Sequence, residues 1–186
     1  DSSDSLRIIS QYSRQKGYNL QCIHVPKTID NDLVYNDHTP GFGSAAKYVA
    51  QLFSGINFDV RSLPGVYIGV IMGRHAGFLT ASSSLLRSNS SDGPHLIFIP
   101  EFSFNLKEFV DNINSVFNKY GRCIVAVSEG IKDKNNMLYS KKIQSSNEYD
   151  DHGNIQLSGS GMLGDFLANE VKNKLKISRV RADTLG

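Results

Sequence analysis

The chain has little cysteine, no excess of charge of either sign, no long apolar run and no internal repeat. Cys22 and Cys123 are the only two cysteines in 186 residues. Both lie in apolar, strand-like runs, which predicts buried free thiols and favours a reducing cytoplasm over secretion. Lysine and arginine number 20 against 18 acids, leaving a net charge of +2. That balance carries no electrostatic footprint of a nucleic-acid or membrane partner. No apolar stretch approaches the ~20 residues of a membrane span. The first residues, Asp1-Ser2-Ser3-Asp4-Ser5, offer neither a methionine nor a signal peptide. What remains is enough chain for one ordinary core.

Apolar strands alternate with amphipathic helices, which predicts an α/β fold with three layers and a mostly parallel sheet. A first helix holds Leu6 and Ile9 and ends near Gly17, and a strand is expected over Leu20–Val25. Ala46, Val49, Ala50, Phe53 and Ile56 recur at helical spacing. Val66–Met72 is apolar almost throughout, as in a strand buried on both faces. A helix carrying Phe78, Ala81 and Leu85 should follow, then a strand over Leu96–Ile99. Asn105 with Glu108 forms a capping pair for a helix that Gly121 stops. Cys123–Val127 is the next strand, and the polar stretch 132–158 reads as a long loop. Ser160 caps a last helix with Leu163, Phe166, Leu167 and Val171 inward.

The most informative segment is Val25-Pro26-Lys27-Thr28-Ile29-Asp30-Asn31-Asp32-Leu33. It puts a lysine, a hydroxyl and two carboxylates into one short loop. Phosphoryl transfer to an alcohol needs such groups together: a base for the hydroxyl proton, a cation for phosphate charge, and an oxygen that orients a metal-bound donor. A polar turn can carry the same residues, so the run takes its meaning from partners. In Met72-Gly73-Arg74, a glycine at a strand-to-helix turn lets amides approach an anion, and the arginine offers a planar fork to phosphate. Glu129 follows a strand and falls at its carboxyl end, where ligands bind in such folds.

Six segments in order resemble the phosphofructokinase family, and its pyrophosphate-dependent branch more than its ATP-dependent one. They are Pro26–Asp32, Gly41-Phe42-Gly43-Ser44-Ala45-Ala46, Met72-Gly73-Arg74-His75-Ala76-Gly77, Ile99-Pro100-Glu101, Ser128-Glu129-Gly130 and Arg181-Ala182-Asp183-Thr184-Leu185-Gly186. The resemblance implies two α/β lobes. Residues 1–41 would be the tail of the phosphate-donor lobe, and 42–186 most of the fructose 6-phosphate lobe. It implies Asp30 as base on the sugar's 1-hydroxyl, Thr28 as a hydroxyl ligand to substrate phosphate or to the reacting hydroxyl, and Asp32 orienting the metal–donor complex. Ile29 joins the same substrate-binding loop. Arg74 would contact the moving phosphoryl group, Met72 and Gly73 the sugar, and Glu129 a sugar hydroxyl. Arg181 matches an arginine for the sugar's 6-phosphate, in many relatives across a subunit boundary, with Arg179 as competitor. A homo-oligomer is therefore expected.

The implied cofactor is Mg²⁺. In relatives its principal aspartate ligand lies in a Gly-Gly-Asp-Asp-Ser loop whose tail Asp1-Ser2 resembles, so the metal ligands within this chain stay open. The chain is expected to be a piece of a larger polypeptide, inactive alone. Lys27 and Asp1, with Ser2, form the donor-binding set. Pyrophosphate-dependent relatives carry lysine and aspartate at the first two positions, where ATP-dependent ones carry glycine. An aspartate there repels a nucleotide's α-phosphate, and a lysine compensates the dense charge of pyrophosphate. The expected reaction is phosphoryl transfer from pyrophosphate to fructose 6-phosphate in glycolysis. ATP as donor, or a non-catalytic regulatory paralogue that binds sugar phosphate, are the alternatives.

Overall fold

The structure, a computed structural model, describes residues 2–143 and 161–185. In chain order its elements are α1 (Ser2–Gln15), α2 (Phe42–Ser62), β1 (Val66–Ile71), α3 (Phe78–Ser82), β2 (Leu96–Phe98), α4 (Leu106–Tyr120), β3 (Cys123–Ser128), α5 (Tyr139–Ile143), α6 (Met162–Leu175) and β4 (Val180–Leu185). Among the described residues no helix is long and apolar enough to cross a membrane.

β1 and β3 are continuous apolar runs, and every residue in both is buried. They pair in parallel along their full length, Val66 opposite Cys123 and Ile71 opposite Ser128. β2 adds outside β3 and β4 outside β1, giving the order β2-β3-β1-β4 with every pair parallel. Alternate residues point to opposite faces. Val66, Ile68, Val70, Val125 and Val127 therefore pack with Phe109 and Ile113 of α4 and with Leu167 and Val171 of α6. Tyr67, Ile71, Ile124 and Ala126 pack with Val49 and Phe53 of α2 and Leu79 of α3. The result is the expected three-layer α/β arrangement.

Several local signals hold as read. Asn105 Oδ1 accepts the backbone N–H groups of Lys107 and Glu108 at 2.9 and 3.3 Å, and Gly121 ends α4 at φ 67°. Others do not. The strand expected over Leu20–Val25 does not form, and Ile23 and Val25 are 82% and 75% exposed. An extended run needs a neighbour to take its backbone hydrogen bonds, and none of the described strands lies beside it. Cys22 is accordingly only half-buried, whereas Cys123 is fully buried and its thiol is pushed up to about 12 by that burial. α3 stops at Ser82, so Leu85 lies beyond the helix and exposed. β4 was not anticipated, and α5 stands inside the stretch read as a loop. Ser160 lies outside the described residues; Gly161 holds the N-cap position of α6.

Candidate functional site

Because the strands are parallel, their carboxyl ends share one edge. β1 leads there into Met72-Gly73-Arg74 and β3 into Glu129-Gly130. Gly73 sits at φ 127°, and a Cβ on it would stand 2.8 Å from the Ala76 carbonyl oxygen. Gly130 packs directly on the carbonyls of Gly73 and Arg74, leaving no room for a side chain. These two glycines let the loops touch. The Glu129 backbone N–H donates to the Ile71 carbonyl at 2.8 Å. Its Oε1 accepts the Gly73 N–H at 3.3 Å and lies 3.8 Å from Arg74 Nε.

The second half of the site is the loop 28–39. Asn31, nearly buried and at φ 60°, is its hub. Asparagine tolerates this left-handed conformation better than most residues. Its Nδ2 donates to the Asp37 carbonyl at 3.1 Å, and its Oδ1 accepts the Thr39 N–H at 2.9 Å. Thr39 Oγ1 donates to the Thr28 carbonyl, closing the loop. The Asp30 N–H donates to Thr28 Oγ1 at 3.2 Å. Ile29 pins the loop to the sheet edge: it packs against the α2-side core and lines an apolar cavity of about 260 Å³ with Tyr48, Met72 and Leu185.

Electrostatics join the halves. Burial pushes the Asp30 carboxyl above its usual range, and the charge of Asp32 adds to this. Arg74 and His75 pull the other way. Burial likewise raises Glu129, opposed by the Gly73 N–H and by Arg74, while Asp30 raises it further. Asp30, Arg74 and Glu129 thus lie within one another's fields. A half-buried carboxylate of raised proton affinity suits a general base, and a guanidinium beside it suits an anion under attack. Among the described residues no group of three or more His, Cys, Asp or Glu side chains could hold a metal alone. Asp32, exposed on the loop and close enough for its charge to act on Asp30, is one carboxylate of the kind Mg²⁺ takes beside substrate phosphates.

The remaining expected residues fall in different places. Thr28 turns its hydroxyl oxygen back onto its own loop, and the Ile29 side chain anchors in the apolar seam. Asp32 and Lys27 are exposed on the loop and just before it. Ser2 begins α1 and is exposed; Asp1 lies outside the described residues. Arg181 does not join the cluster. It pairs with Tyr67 in the β1–β4 register, four residues before Leu185, or ~13 Å along the strand from the carboxyl edge. Its side chain is 56% exposed and lies 4.0 Å from Asp183. Arg179, the competitor, reaches Asp59 at 3.4 Å. Asn31 and Thr39 hold the loop without being part of the expected site, although an asparagine inside a polar turn is a known signal for a loop that bonds its own backbone. His75 is not part of the expected site either, and its charge acts on Asp30.

The family model for phosphofructokinase matches residues 3–186. The chain is 58% identical, over its whole length and 46% of the relative's, to the pyrophosphate–fructose 6-phosphate 1-phosphotransferase of Rhodospirillum rubrum. It is 38% identical, over 94% of its length and 41% of the relative's, to the enzyme of the same name from Xanthomonas campestris pv. campestris. The crystal structure of pyrophosphate-dependent phosphofructokinase from Nitrosospira multiformis superposes with a TM-score of 0.73 at 34% identity, covering 98% of this chain and 42% of that one. The chain therefore spans less than half the length of these relatives. The family match and the identity along its full length make this chain a member of the phosphofructokinase family.

Proposed function

We propose that the protein carrying this chain transfers a phosphoryl group from pyrophosphate to the 1-hydroxyl of fructose 6-phosphate. The observation that carries this reading is the Arg74–Glu129 pair at the sheet edge, with the Asp30 carboxyl of the docked 28–39 loop within the fields of both. The Asp30 carboxylate takes the proton of the sugar's 1-hydroxyl as that oxygen attacks the terminal phosphorus. A new O–P bond forms, the bridging P–O bond of pyrophosphate breaks, and orthophosphate leaves. Arg74 balances charge on the phosphoryl group in flight. Glu129, held by the Gly73 N–H, accepts a hydrogen bond from a sugar hydroxyl, and Met72 and Gly73 wall the sugar.

Lys27 faces the donor, and the names of the relatives favour pyrophosphate. Mg²⁺ belongs to the reading; Asp32 is the residue of this chain best placed to meet it, and the ion would neutralise phosphate charge. Residues 1–41 then form the tail of the donor lobe and 42–186 most of the sugar-phosphate lobe. Arg181, turned outward on β4, is left to bind a 6-phosphate in a second copy of a homo-oligomer.

The test is a pair of assays on the full-length protein. Wild type is expected to turn over fructose 6-phosphate with pyrophosphate far better than with ATP. Asp30→Ser should cost on the order of 10²–10⁴ in kcat while fructose 6-phosphate still binds by calorimetry. A clear ATP preference would refute the donor, and near-normal turnover by the variant would refute the base.

A further inference from the structure

We infer that Ser128 is a positioning residue: its hydroxyl locks the loop that carries Arg74 to the loop that carries Glu129. The inference rests on the function proposed above for its kinetic consequence, though the clamp itself does not.

Ser128 closes β3 and is fully buried. Its Oγ donates to the Gly73 carbonyl at 2.6 Å and accepts the Gly130 N–H at 2.9 Å. The one proton of the hydroxyl is therefore committed, and the residue is wholly shielded from solvent. It is placed to act through its neighbours and not on a substrate.

The need for such a clamp follows from Gly73. Glycine has the widest backbone freedom of any residue, and here it sits at φ 127° between a rigid strand and the arginine. Its own N–H is gripped from one side by Glu129 Oε1. Its carbonyl, which belongs to the peptide plane leading into Arg74, is gripped from the other side by Ser128. Both grips come from β3 and the loop after it. The direction in which Arg74 leaves the sheet is thus set from the neighbouring strand. Gly130, the second partner of the hydroxyl, lies directly on the same two carbonyls. One side chain holds the spacing of two site loops at their closest approach. Removing the hydroxyl leaves a buried carbonyl and a buried N–H without a partner and frees the Gly73–Arg74 plane to rotate.

The test is a double-mutant cycle in the full-length protein with Ser128→Ala and Arg74→Ala. Alone, Ser128→Ala is expected to lower kcat/KM for fructose 6-phosphate about 10- to 100-fold, the scale at which a misplacement of about 1 Å acts. In the Arg74→Ala background the same change should cost less than about twofold, because the guanidinium it positions is gone. Equal losses in both backgrounds would mean that the serine does not act through Arg74, and would overturn the inference. If Ser128→Ala does not fold, Ser128→Cys, which keeps the shape but only a weak donor, takes its place in the cycle. Hydrogen exchange gives a readout independent of turnover. Faster exchange of segments 72–77 and 128–131 in folded Ser128→Ala than in wild type supports the clamp; unchanged exchange there overturns it. If wild type shows no turnover with any donor, the functional reading fails and the exchange result alone decides the clamp.

Discussion

Two runs of this chain look alike on paper and end up opposite. Cys22-Ile23-His24-Val25 and Cys123-Ile124-Val125-Ala126-Val127 both begin with a thiol, carry β-branched residues and precede a polar loop that bears site carboxylates. The second is an inner strand with each of its residues at 0% exposure. The first has no strand beside it among the described residues and leaves Ile23 82% exposed. The difference lies in the surroundings. β3 sits between β1 and β2 and is covered by helices on both faces, so each of its backbone groups and side chains has somewhere to go. A strand is a property of a pair, and β-propensity measures only how well a sequence suits a pleated surface that others supply.

The sharpest break of this comparison is to place a charge in each run. Val125→Asp buries a carboxylate with no partner in the α4–α6 face of the core, and should cost more than about 4 kcal/mol, enough to unfold an ordinary domain. Ile23→Asp should change stability by no more than about 0.5 kcal/mol. Denaturant midpoints of the two variants against wild type measure both. A loss at Ile23 as large as that at Val125 would mean that this run is covered in solution.

Between the two runs in effect lies the loop that follows the first. From Thr28 the chain is tied down again, because Asn31 and Thr39 bond the loop to itself and Ile29 packs it on the sheet. Asn31→Ala removes the side-chain bonds of Asn31 to Asp37 and Thr39 and puts a Cβ-bearing residue without a polar side chain at φ 60°. The expected cost is about 1–3 kcal/mol, confined to the loop. Proteolysis or hydrogen exchange should then find 28–39 as open as 20–25, and turnover should fall because Asp30 and Asp32 flank the hub. A loop as protected as before would show that Ile29 alone suffices to hold it.

What the sequence made legible follows the same division. β1, β3 and the caps of α4 were readable because their signals are local: a continuous apolar run, an asparagine followed by helix, a glycine at the stop. Asp30, Arg74 and Glu129 were readable as a set only through the family resemblance; the edge shared by Arg74 and Glu129 followed from parallel strands, whereas Asp30 comes to it through the packing of Ile29 and not through a strand. β4 escaped because Val180-Arg181-Ala182-Asp183-Thr184-Leu185 is an edge strand with only three apolar residues among its six, Val180 and Ala182 on one face and Leu185 on the other. The place of Arg181 escaped with it, since register with Tyr67 is a long-range fact. Ser128 was named only as a neighbour of Glu129; its role depends on a carbonyl 55 residues away.

The smallest expected effect concerns how the buried run begins. His95, just ahead of β2, accepts the Ile124 N–H on Nδ1 at 2.9 Å, and its Nε2 lies 3.3 Å from the Ser91 carbonyl. A backbone N–H can only donate, so Nδ1 must carry no proton, and the neutral ring with its hydrogen on Nε2 satisfies both neighbours. Burial holds the imidazole below its ordinary range, and the charges of Arg122 and Arg87 act in the same direction, against the Ser91 carbonyl. As pH falls through about 6.5, the unfolded chain takes up a proton that the folded ring refuses. The stability that His95 contributes is therefore complete above that pH and is lost below it, towards the lower folded value. The ring is only half-buried, so screening keeps the effect below about 1 kcal/mol. His95→Gln should remove this slope. Between pH 7.5 and 5.5 the denaturant midpoint of wild type should fall further than that of the variant. Parallel curves would mean that the Ile124 N–H, at the head of the best-buried strand, does not depend on the imidazole for its partner.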